Sequence, residues 1–222
     1  MNLNKRLINF APLNTYLMIL TDKTAYILDV AERLFAEQGF DAVSIREISR
    51  AADINIAMVS YYFGSKEKLY EDVIRRKLIP IERFEEAYVE FPSHYDKLIA
   101  ITDVVTNSFF DNRYFQIIIF REMSLNQRTH MADFLIEHME RNFLYVSDIV
   151  KKGIKKKEFK PVDVELTVIS IFAIIRMYAT SSTMMCKIMH KESVEEVYDN
   201  KHRTRIKGFI ADMLTNQLLI KE

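Results

Sequence analysis

The chain has 222 residues, of which 49% are hydrophobic and 28% are charged, so it can bury a core and is not of the disordered class. Only four glycines and four prolines are present, which disfavours a protein built from many short strands and turns. Lys plus Arg balance Asp plus Glu at 31 each. Any nucleic-acid contact must therefore depend on locally placed charge, because the chain as a whole has no basic field.

A single cysteine, Cys186, excludes an internal disulfide and fits a reducing compartment, so the expected location is the cytoplasm. Residues 1–20 are expected to be an N-terminal extension that is disordered or that precedes the true start of translation, since Met18 stands just before the first helix signal. Pro12 and Asn14 interrupt the apolar run of this extension. Neither a signal peptide nor a membrane span is therefore expected there.

The segment that follows residue 20 carries signals for successive helices. In the first helix, Ile27 and Phe35 belong to an apolar face, and the charged residues, Glu32 among them, are assigned to the opposite face. Ser44 and Glu47 have the spacing of a capping box at the start of a second helix. These patterns predict a first helix that Gly39 ends and a second helix that begins at Ser44, each with an apolar side that faces inward.

A third helix of about two turns is predicted over "IAMVSYYF", and Gly64 ends it. Ser65 then begins a fourth helix, which is expected to run towards Pro80. Three helices in about forty residues, the last two joined by a tight turn, predict a helix-turn-helix domain, here assigned to residues 21–79.

The third helix has an unusual outward face. Its inward spacing is taken by Val59, Tyr62 and Phe63, which leaves an outer surface that is small or apolar and carries no charge. The outward residues are Ile56, Ala57, Met58, Ser60 and Tyr61. Such a face suits close approach to base edges and thymine methyl groups in a major groove. The alternative is a buried helix in a larger bundle.

Contacts to the DNA backbone are predicted beside this helix. Ser65 leaves unpaired N–H groups at a helix start, and Lys66 stands next to them, which is a favourable arrangement for phosphate. Ser44 and Arg46, at the start of the second helix, are expected to hold the backbone across the groove.

Residues 21–70 resemble the DNA-binding domain of the TetR family of bacterial transcriptional regulators, through "AERLFAEQGFDAVSIREISRAADI" and "VSYYFGSKEKLY". The resemblance implies that Tyr61 and Tyr62 approach the DNA, that Lys66 contacts phosphate and that Ser44 helps to hold the backbone. It places the base-reading face at Asn55, Ile56, Ala57 and Met58.

Two positions depart from the family pattern. Asp53 stands in the turn where the family usually has Gly, and Asp tolerates the left-handed conformation better than most residues. Ser60 stands where many members have Tyr.

Residues 80–222 are predicted to form an all-α ligand-binding and dimerisation domain. The stretch "VDVELTVISIFAIIRMYATSSTMMCKIM" is interpreted as one helix that is apolar nearly all round and must be covered on both sides. Two long helices from each subunit would then form a four-helix bundle across a twofold axis, as the TetR resemblance also implies. The alternative is that these stripes complete the core of a monomer. The predicted interface residues are Val168, Ile171, Ile175, Ile206, Phe209, Ile210, Met213, Leu214 and Gln217.

A site for a small effector is predicted within the same domain, because methionine and aromatic side chains suit an adaptable apolar pocket, although they equally suit a packed core. The candidates are Phe115, Ile119, Met123, Phe143, Tyr145, Arg176, Met177, Tyr178 and Met184. Arg176 lies in an apolar stretch, where burial would demand a partner. That partner is either a ligand carboxylate or an internal acid such as Glu122.

No catalytic triad order, paired carboxylates or glycine-rich phosphate loop is present in the sequence, so no enzyme activity, metal or cofactor is expected. The sequence predicts a homodimeric DNA-binding regulator, in the first instance a repressor, that binds a palindromic operator and responds to an apolar or acidic small molecule. Two alternatives stay open at this point. One is control by a protein partner instead of a ligand, and the other is a helical ligand-binding protein with a vestigial helix-turn-helix.

Overall fold

The structure is a computed structural model and describes residues 22–78, 91–125 and 129–220. Within these ranges the chain is all-α, and its only strand-like pairing is an isolated bridge between Phe159 and Leu219. The described residues divide into two compact units, with the boundary after Leu78. The helices are α1 Asp22–Gln38, α2 Ile45–Ala51, α3 Ile56–Phe63, α4 Lys66–Arg75, α5 His94–Asp111, α6 Arg113–Leu125, α7 Thr129–Lys155, α8 Val164–Thr180, α9 Ser182–Ile188, α10 Val194–Val197 and α11 Asn200–Leu218.

Residues 1–20, predicted to be an N-terminal extension, and residues 79–90, which contain the predicted domain boundary, lie outside the described residues. None of the helices in the described ranges is by itself long and apolar enough to span a membrane. Helices α8 and α9 satisfy that test only jointly, across an 89° bend.

The short helices of the first unit begin at polar caps. Ser44 and Glu47 form the capping box at the start of α2, with the hydroxyl of Ser44 accepting from the Glu47 N–H at 3.2 Å and the carboxylate of Glu47 accepting from the Ser44 N–H at 2.8 Å. Asn55 caps α3, and Ser65 caps α4 by accepting from the Lys68 N–H at 3.1 Å. These side chains satisfy N–H groups that have no partner inside their own helices, so helices of seven to ten residues are defined at their starts.

The core of this unit is formed by one side of each helix. Ile27 from α1, Ile48 from α2 and Val59 from α3 are fully buried. Phe35 packs edge-on against Tyr70 of α4, with ring centroids 5.0 Å apart. The burial of apolar side chains from all four helices holds α2 and α3 at a defined angle to α1 and α4.

Glu32 was expected on the solvated face of α1, and this expectation is wrong, because only 4% of Glu32 is exposed. Its carboxylate accepts from Arg76 at 2.6 Å and from Lys77 at 3.1 Å, and Arg76 also contacts Asp29 at 2.7 Å. The two cations offset the free-energy cost of burying this carboxylate, and their contacts attach the end of α4 to α1. The helix ends at Arg75, short of the predicted approach to Pro80, because the next two residues turn towards Glu32.

The second unit is built around a single apolar cluster. Helix α5 packs against α7, α8 and α11, and α6 packs against α7 and α8. The centre of the cluster consists of branched aliphatic side chains that have almost no exposed surface. Its fully buried members include Leu98, Val150, Val168, Ile175, Ile210 and Leu214.

Four helix termini meet at one corner of the second unit. The backbone N–H of His94, at the start of α5, donates to the carboxylate of Glu158 after α7, and the His94 ring Nδ1 lies 2.9 Å from the same carboxylate. Burial raises the pKa of Glu158, but the hydrogen bonds from His94 outweigh that effect and hold the pKa below its ordinary value. The Lys160 N–H, just before α8, donates to the carbonyl of Leu218 at the end of α11.

The predicted long helix after Asp163 is two helices in the structure. Helix α8 ends at Thr180, and α9 begins at Ser182. The hydroxyl of Tyr198 donates to the carbonyl of Tyr178 at 2.8 Å, which satisfies an acceptor near the end of α8. Burial raises the pKa of Tyr198 to about 12, consistent with a phenol that stays protonated as a donor.

Gly153 on α7 leaves room for the buried ring of Phe159. A Cβ atom at residue 153 would overlap that ring. We expect Gly153→Ala to lower the free energy of unfolding by about 2 kcal/mol or more, as overpacking of a dense core does. Urea unfolding followed by circular dichroism measures this loss. The control is the double variant with Phe159→Leu, in which the alanine should be less harmful than in the wild-type background. An equal loss in both backgrounds would show that the ring is not the obstacle.

Candidate nucleic-acid interface

Helix α3 has one buried side and one exposed side. Val59 and Phe63 are buried, whereas Ile56, Ala57, Ser60 and Tyr61 are exposed, and Met58 and Tyr62 are half-buried. Tyr61 is 85% exposed, and its ring centroid lies 5.4 Å from that of Tyr62. The exposed side contains no charged residue, as the sequence predicted.

Both ends of α3 are held by specific backbone conformations. Asn55 accepts from the Ala57 N–H at 2.8 Å through its side-chain oxygen, which leaves its amide nitrogen for other contacts. Gly64 has a φ of 75° and donates its N–H to the Ser60 carbonyl. A residue with a Cβ is disfavoured at that φ, so glycine defines where α3 stops and α4 starts.

The turn between α2 and α3 contains Asp53 in the left-handed region, with a φ of 52°. The Asp53 N–H donates to the Arg50 carbonyl at 3.2 Å, and the Ile54 N–H donates to the Ser49 carbonyl at 3.0 Å. The turn thus has the backbone geometry that favours glycine, with aspartate in its place, as the sequence predicted.

The start of α2 presents Ser44 and Arg46, both exposed. The hydroxyl of Ser44 takes part in the capping box, where it also donates to Glu47 at 3.0 Å. Hydrogen bonds from the backbone and side chain of Ser44 hold the pKa of Glu47 below its ordinary value. Arg46 is therefore the stronger candidate of the two for a phosphate contact, because the serine hydroxyl already has partners.

Lys66 lies at the start of α4 and is half-buried. Its ammonium group stands 4.2 Å from the centroid of the Phe40 ring and 3.4 Å from the carbonyl of Asp41. These contacts restrict the long side chain before any DNA arrives, so less conformational freedom is lost on binding. The neighbouring Glu67 accepts hydrogen bonds from its own N–H and from Ser65, which lower its pKa and place a negative charge at the same helix start.

The predicted effector residues do not share one environment in the second unit. Phe115 and Ile119 are buried, Met123, Phe143, Tyr145 and Tyr178 are half-buried, and Arg176, Met177 and Met184 are exposed. Arg176 is exposed, so the burial that would have demanded a partner does not occur. Its guanidinium lies 6.0 Å from the centroid of the Phe120 ring, and among the described residues it forms no ion pair, with Glu122 or any other acid.

Most of the predicted dimer residues face the interior of their own chain. Val168, Ile171, Ile175, Ile206, Ile210 and Leu214 are buried, Met213 and Gln217 are half-buried, and Phe209 is exposed. Gln217 donates to the Thr167 hydroxyl of the same chain at 2.9 Å. The buried members complete the core of the subunit, so they supply no surface for a second copy. The stripe that is exposed is the other apolar face of α8, formed by Leu166, Ile169, Ala173 and Met177.

Two buried polar groups were not anticipated from the sequence. The side-chain oxygen of Asn142 and the hydroxyl of Ser147, both on α7, are buried and make no hydrogen bond within the described residues. Ser147 is only 2% exposed. A buried hydroxyl without a partner costs about 1–3 kcal/mol, so groups of this kind are uncommon. No pattern in the sequence separates them from serines and asparagines that have partners.

A two-turn helix with an uncharged outer face, set after a tight turn, has the form of the recognition helix of a helix-turn-helix. Residues 27–73 match the family model described as bacterial regulatory proteins, tetR family. This segment is therefore a DNA-binding domain of the type found in the TetR family of bacterial transcriptional regulators.

Some similar proteins align with both units of the chain. A probable helix-turn-helix regulator of Bacillus subtilis, YttP, is 20% identical over 83% of this chain and 90% of its own length. The transcriptional repressor KstR2 of Rhodococcus jostii is 28% identical over 63% of this chain and 70% of its own. A solved transcriptional regulator from Saccharomonospora viridis, in complex with choline, shares the fold with a TM-score of 0.63 at 16% identity, over 89% of this chain and 97% of that one. All three are described as transcriptional regulators.

The left-handed turn at Asp53 yields a stability prediction. We expect Asp53→Gly to raise the free energy of unfolding by about 1 kcal/mol, because it relieves the penalty of a Cβ atom at positive φ. Asp53→Ala keeps the penalty and loses the local hydrogen-bonding ability of aspartate, so it should lower stability. Thermal unfolding of both variants measures the difference. Loss of stability in the glycine variant would show that the Asp53 carboxylate has a stabilising contact.

Proposed function

We propose that this protein is a cytoplasmic, homodimeric transcriptional repressor that binds a palindromic operator and releases it when a small molecule binds the second unit. The observation that carries the proposal is the exposed, uncharged face of α3 on a helix whose other side is buried. A surface with Ile56 and Tyr61 exposed is unfavourable in water and favourable against base edges and thymine methyl groups.

We expect few contacts between the protein and the DNA backbone. Residues 22–78 contain nine Lys or Arg and ten Asp or Glu, a net charge of −1, so no general basic surface draws the unit to DNA. The cations closest in sequence to α3 are Lys66, Lys68 and Arg50, and Lys68 already forms ion pairs with Glu71 and Asp72. Because each neutralised phosphate contributes about one unit to the salt slope, we expect a shallow dependence of affinity on salt.

The exposed apolar surface of the second unit supports a dimer. Leu166 is 60% exposed, Ile169 is 49% exposed and Phe209 on α11 is 59% exposed, although they belong to helices that also carry the core. Large apolar side chains exposed in this way become favourable when a second copy covers them. Two copies also present two α3 helices, and a symmetric operator is then read by both.

An effector in the second unit is supported by its unsatisfied buried groups. A ligand with hydrogen-bonding atoms could provide a partner for either the Asn142 oxygen or the Ser147 hydroxyl, and its binding would favour one arrangement of the helices over another. One protein of the same fold was solved with choline, which supports a small-molecule effector here without indicating its identity.

DNA binding through α3 is testable with matched tyrosine variants. We expect Tyr61→Ala to weaken binding to the DNA upstream of the protein's own gene by about tenfold or more, because a base-edge or groove contact is worth about 1–3 kcal/mol. Lys66→Ala should reduce the slope of log affinity against log salt by about one for each subunit. Fluorescence anisotropy across a salt series measures both effects.

The control is Tyr26→Ala, which removes a tyrosine that is 52% exposed and belongs to α1 instead of α3. It should leave affinity unchanged. Equal affinities for the Tyr61 and Tyr26 variants would contradict the assignment of α3 as the reading helix.

The unsatisfied hydroxyl of Ser147 makes a second prediction. Ser147→Ala should raise the free energy of unfolding by about 1 kcal/mol, because it removes a buried group that has no partner. Thr106→Val is the matched control, since the Thr106 hydroxyl is equally buried but donates to the Thr102 carbonyl at 2.7 Å. That variant should lose about 1 kcal/mol in the same urea titration. A loss of stability in Ser147→Ala would mean that the hydroxyl already has a partner and is not reserved for an effector.

A further inference from the structure

Few side chains on the outer side of α3 can form hydrogen bonds to DNA bases. Asn55, Ser60 and Tyr61 are exposed, and the half-buried Tyr62 adds one more hydroxyl. Direct recognition of guanine usually depends on arginine or lysine, and that of adenine on asparagine or glutamine, each with two hydrogen bonds to one base edge. Helix α3 contains none of these four residue types. Its capping residue Asn55 is therefore the one candidate for a paired contact at the start of the helix.

The side chain of Asn55 is already bonded to its own backbone. Its Oδ1 accepts from the Ala57 N–H at 2.8 Å, and this hydrogen bond caps α3. A paired contact to adenine requires the amide oxygen and the amide nitrogen to point together at the adenine edge. With Oδ1 turned towards Ala57, the amide nitrogen is left as a single donor, and guanine, adenine and thymine all present acceptors for one donor. Asn55 therefore does not select one base.

The first turn of α3 presents apolar side chains instead. Ile56 is 40% exposed, Ala57 is exposed and Met58 is half-buried. The β-branched side chain of Ile56 has one strongly preferred rotamer in a helix and Ala57 has none to lose, so contacts made by these two residues cost little conformational entropy. The C5-methyl of thymine is the apolar group that distinguishes base pairs in the major groove. Direct recognition by this turn therefore depends on that methyl group.

Ser60 and Tyr61 lie one turn further along the exposed side of α3. Ser60 follows Ile56 by four residues and Tyr61 follows Ala57 by four, so each hydroxyl continues the row of an apolar neighbour. A hydroxyl either donates or accepts, and it is therefore compatible with every base pair. The hydroxyls can add affinity, whereas the choice between bases depends on Ile56 and Ala57.

We infer, on the basis of the DNA-binding function proposed above, that α3 selects its half-site through the methyl groups of thymine, with Ile56 and Ala57 as the residues that determine specificity. The operator segment that faces the first turn of α3 is then rich in T·A pairs. Guanine in this segment is not recognised by hydrogen bonds from α3, because the helix has no side chain that makes the paired contact. The affinity for the half-site thus depends on methyl groups in the major groove.

Removal of single methyl groups from the DNA tests this inference. The probe is a duplex that spans the segment protected by the protein upstream of its own gene, with each thymine replaced in turn by deoxyuridine. Loss of one contacted methyl group should weaken binding about fourfold, and the same change in both half-sites about tenfold or more. At a sensitive position, a pair of 5-methylcytosine with guanine should bind about fourfold more tightly than a cytosine–guanine pair, because it restores the methyl group. Fluorescence anisotropy with the full chain measures these affinities.

A cycle that combines protein and DNA changes identifies the residue that contacts the methyl group. In Ile56→Ala, the cost of deoxyuridine at the thymine that Ile56 contacts should fall below about twofold, since the partner of the methyl group is gone. Ile188→Ala is the matched control, because it shortens an isoleucine that is 60% exposed on α9 in the second unit, and it should keep the full cost. Circular dichroism confirms that both variants are folded.

The possible failures are distinguishable from one another. A cost of deoxyuridine that is unchanged in Ile56→Ala would overturn the role of Ile56, because the methyl group would then act through the conformation of the DNA. Tolerance of deoxyuridine at every thymine, in a complex that Tyr61→Ala still weakens, would overturn recognition through methyl groups and leave the DNA-binding function intact. A protein that binds no DNA would contradict that function as well.

Discussion

Helix α3 has only eight residues, and isolated helices shorter than about 12–15 residues are marginal in water. Its existence depends on the burial of Val59 and Phe63 against the other helices of the first unit. The uncharged outer face thus belongs to a helix whose other side is part of the core. The packing of that core fixes the position of the outer face relative to α1 and α4. The same position of α3 relative to α1 and α4 is maintained by the caps at Asn55 and Gly64. It is also maintained by the ionic contacts of Glu32, which hold the end of α4.

The sequence predicted the first unit well because its determinants are local. A capping box, a glycine at positive φ and an aspartate in a tight turn each act within a few residues, and the structure contains all three. The assignment of Glu32 to the solvated face was wrong for the opposite reason. Its partners, Arg76 and Lys77, lie 44 and 45 residues further along the chain, so helical periodicity contains no information about them.

The second unit shows how an apolar sequence can be ambiguous. Helix α8 has two apolar faces, and periodicity alone cannot decide which of them lies inside. The structure buries the face with Val168 and Ile171 and exposes the one with Leu166 and Ile169. The break at Ser181 was missed because no glycine or proline marks it. Arg176 has apolar neighbours in sequence, yet its side chain is exposed, so the apolar stretch by itself does not indicate on which side of α8 a residue lies.

The corner at which Glu158 contacts His94 and Lys160 bonds to Leu218 has a consequence for how the second unit opens. Chain ends usually fray at low free energy, and amide hydrogens in a last helix then exchange quickly with solvent. Here the last turns of α11 are bonded to the segment that joins α7 to α8, and that segment is bonded to the start of α5. The end of α11 therefore cannot detach alone, and its amides should exchange at rates close to those of the central helices.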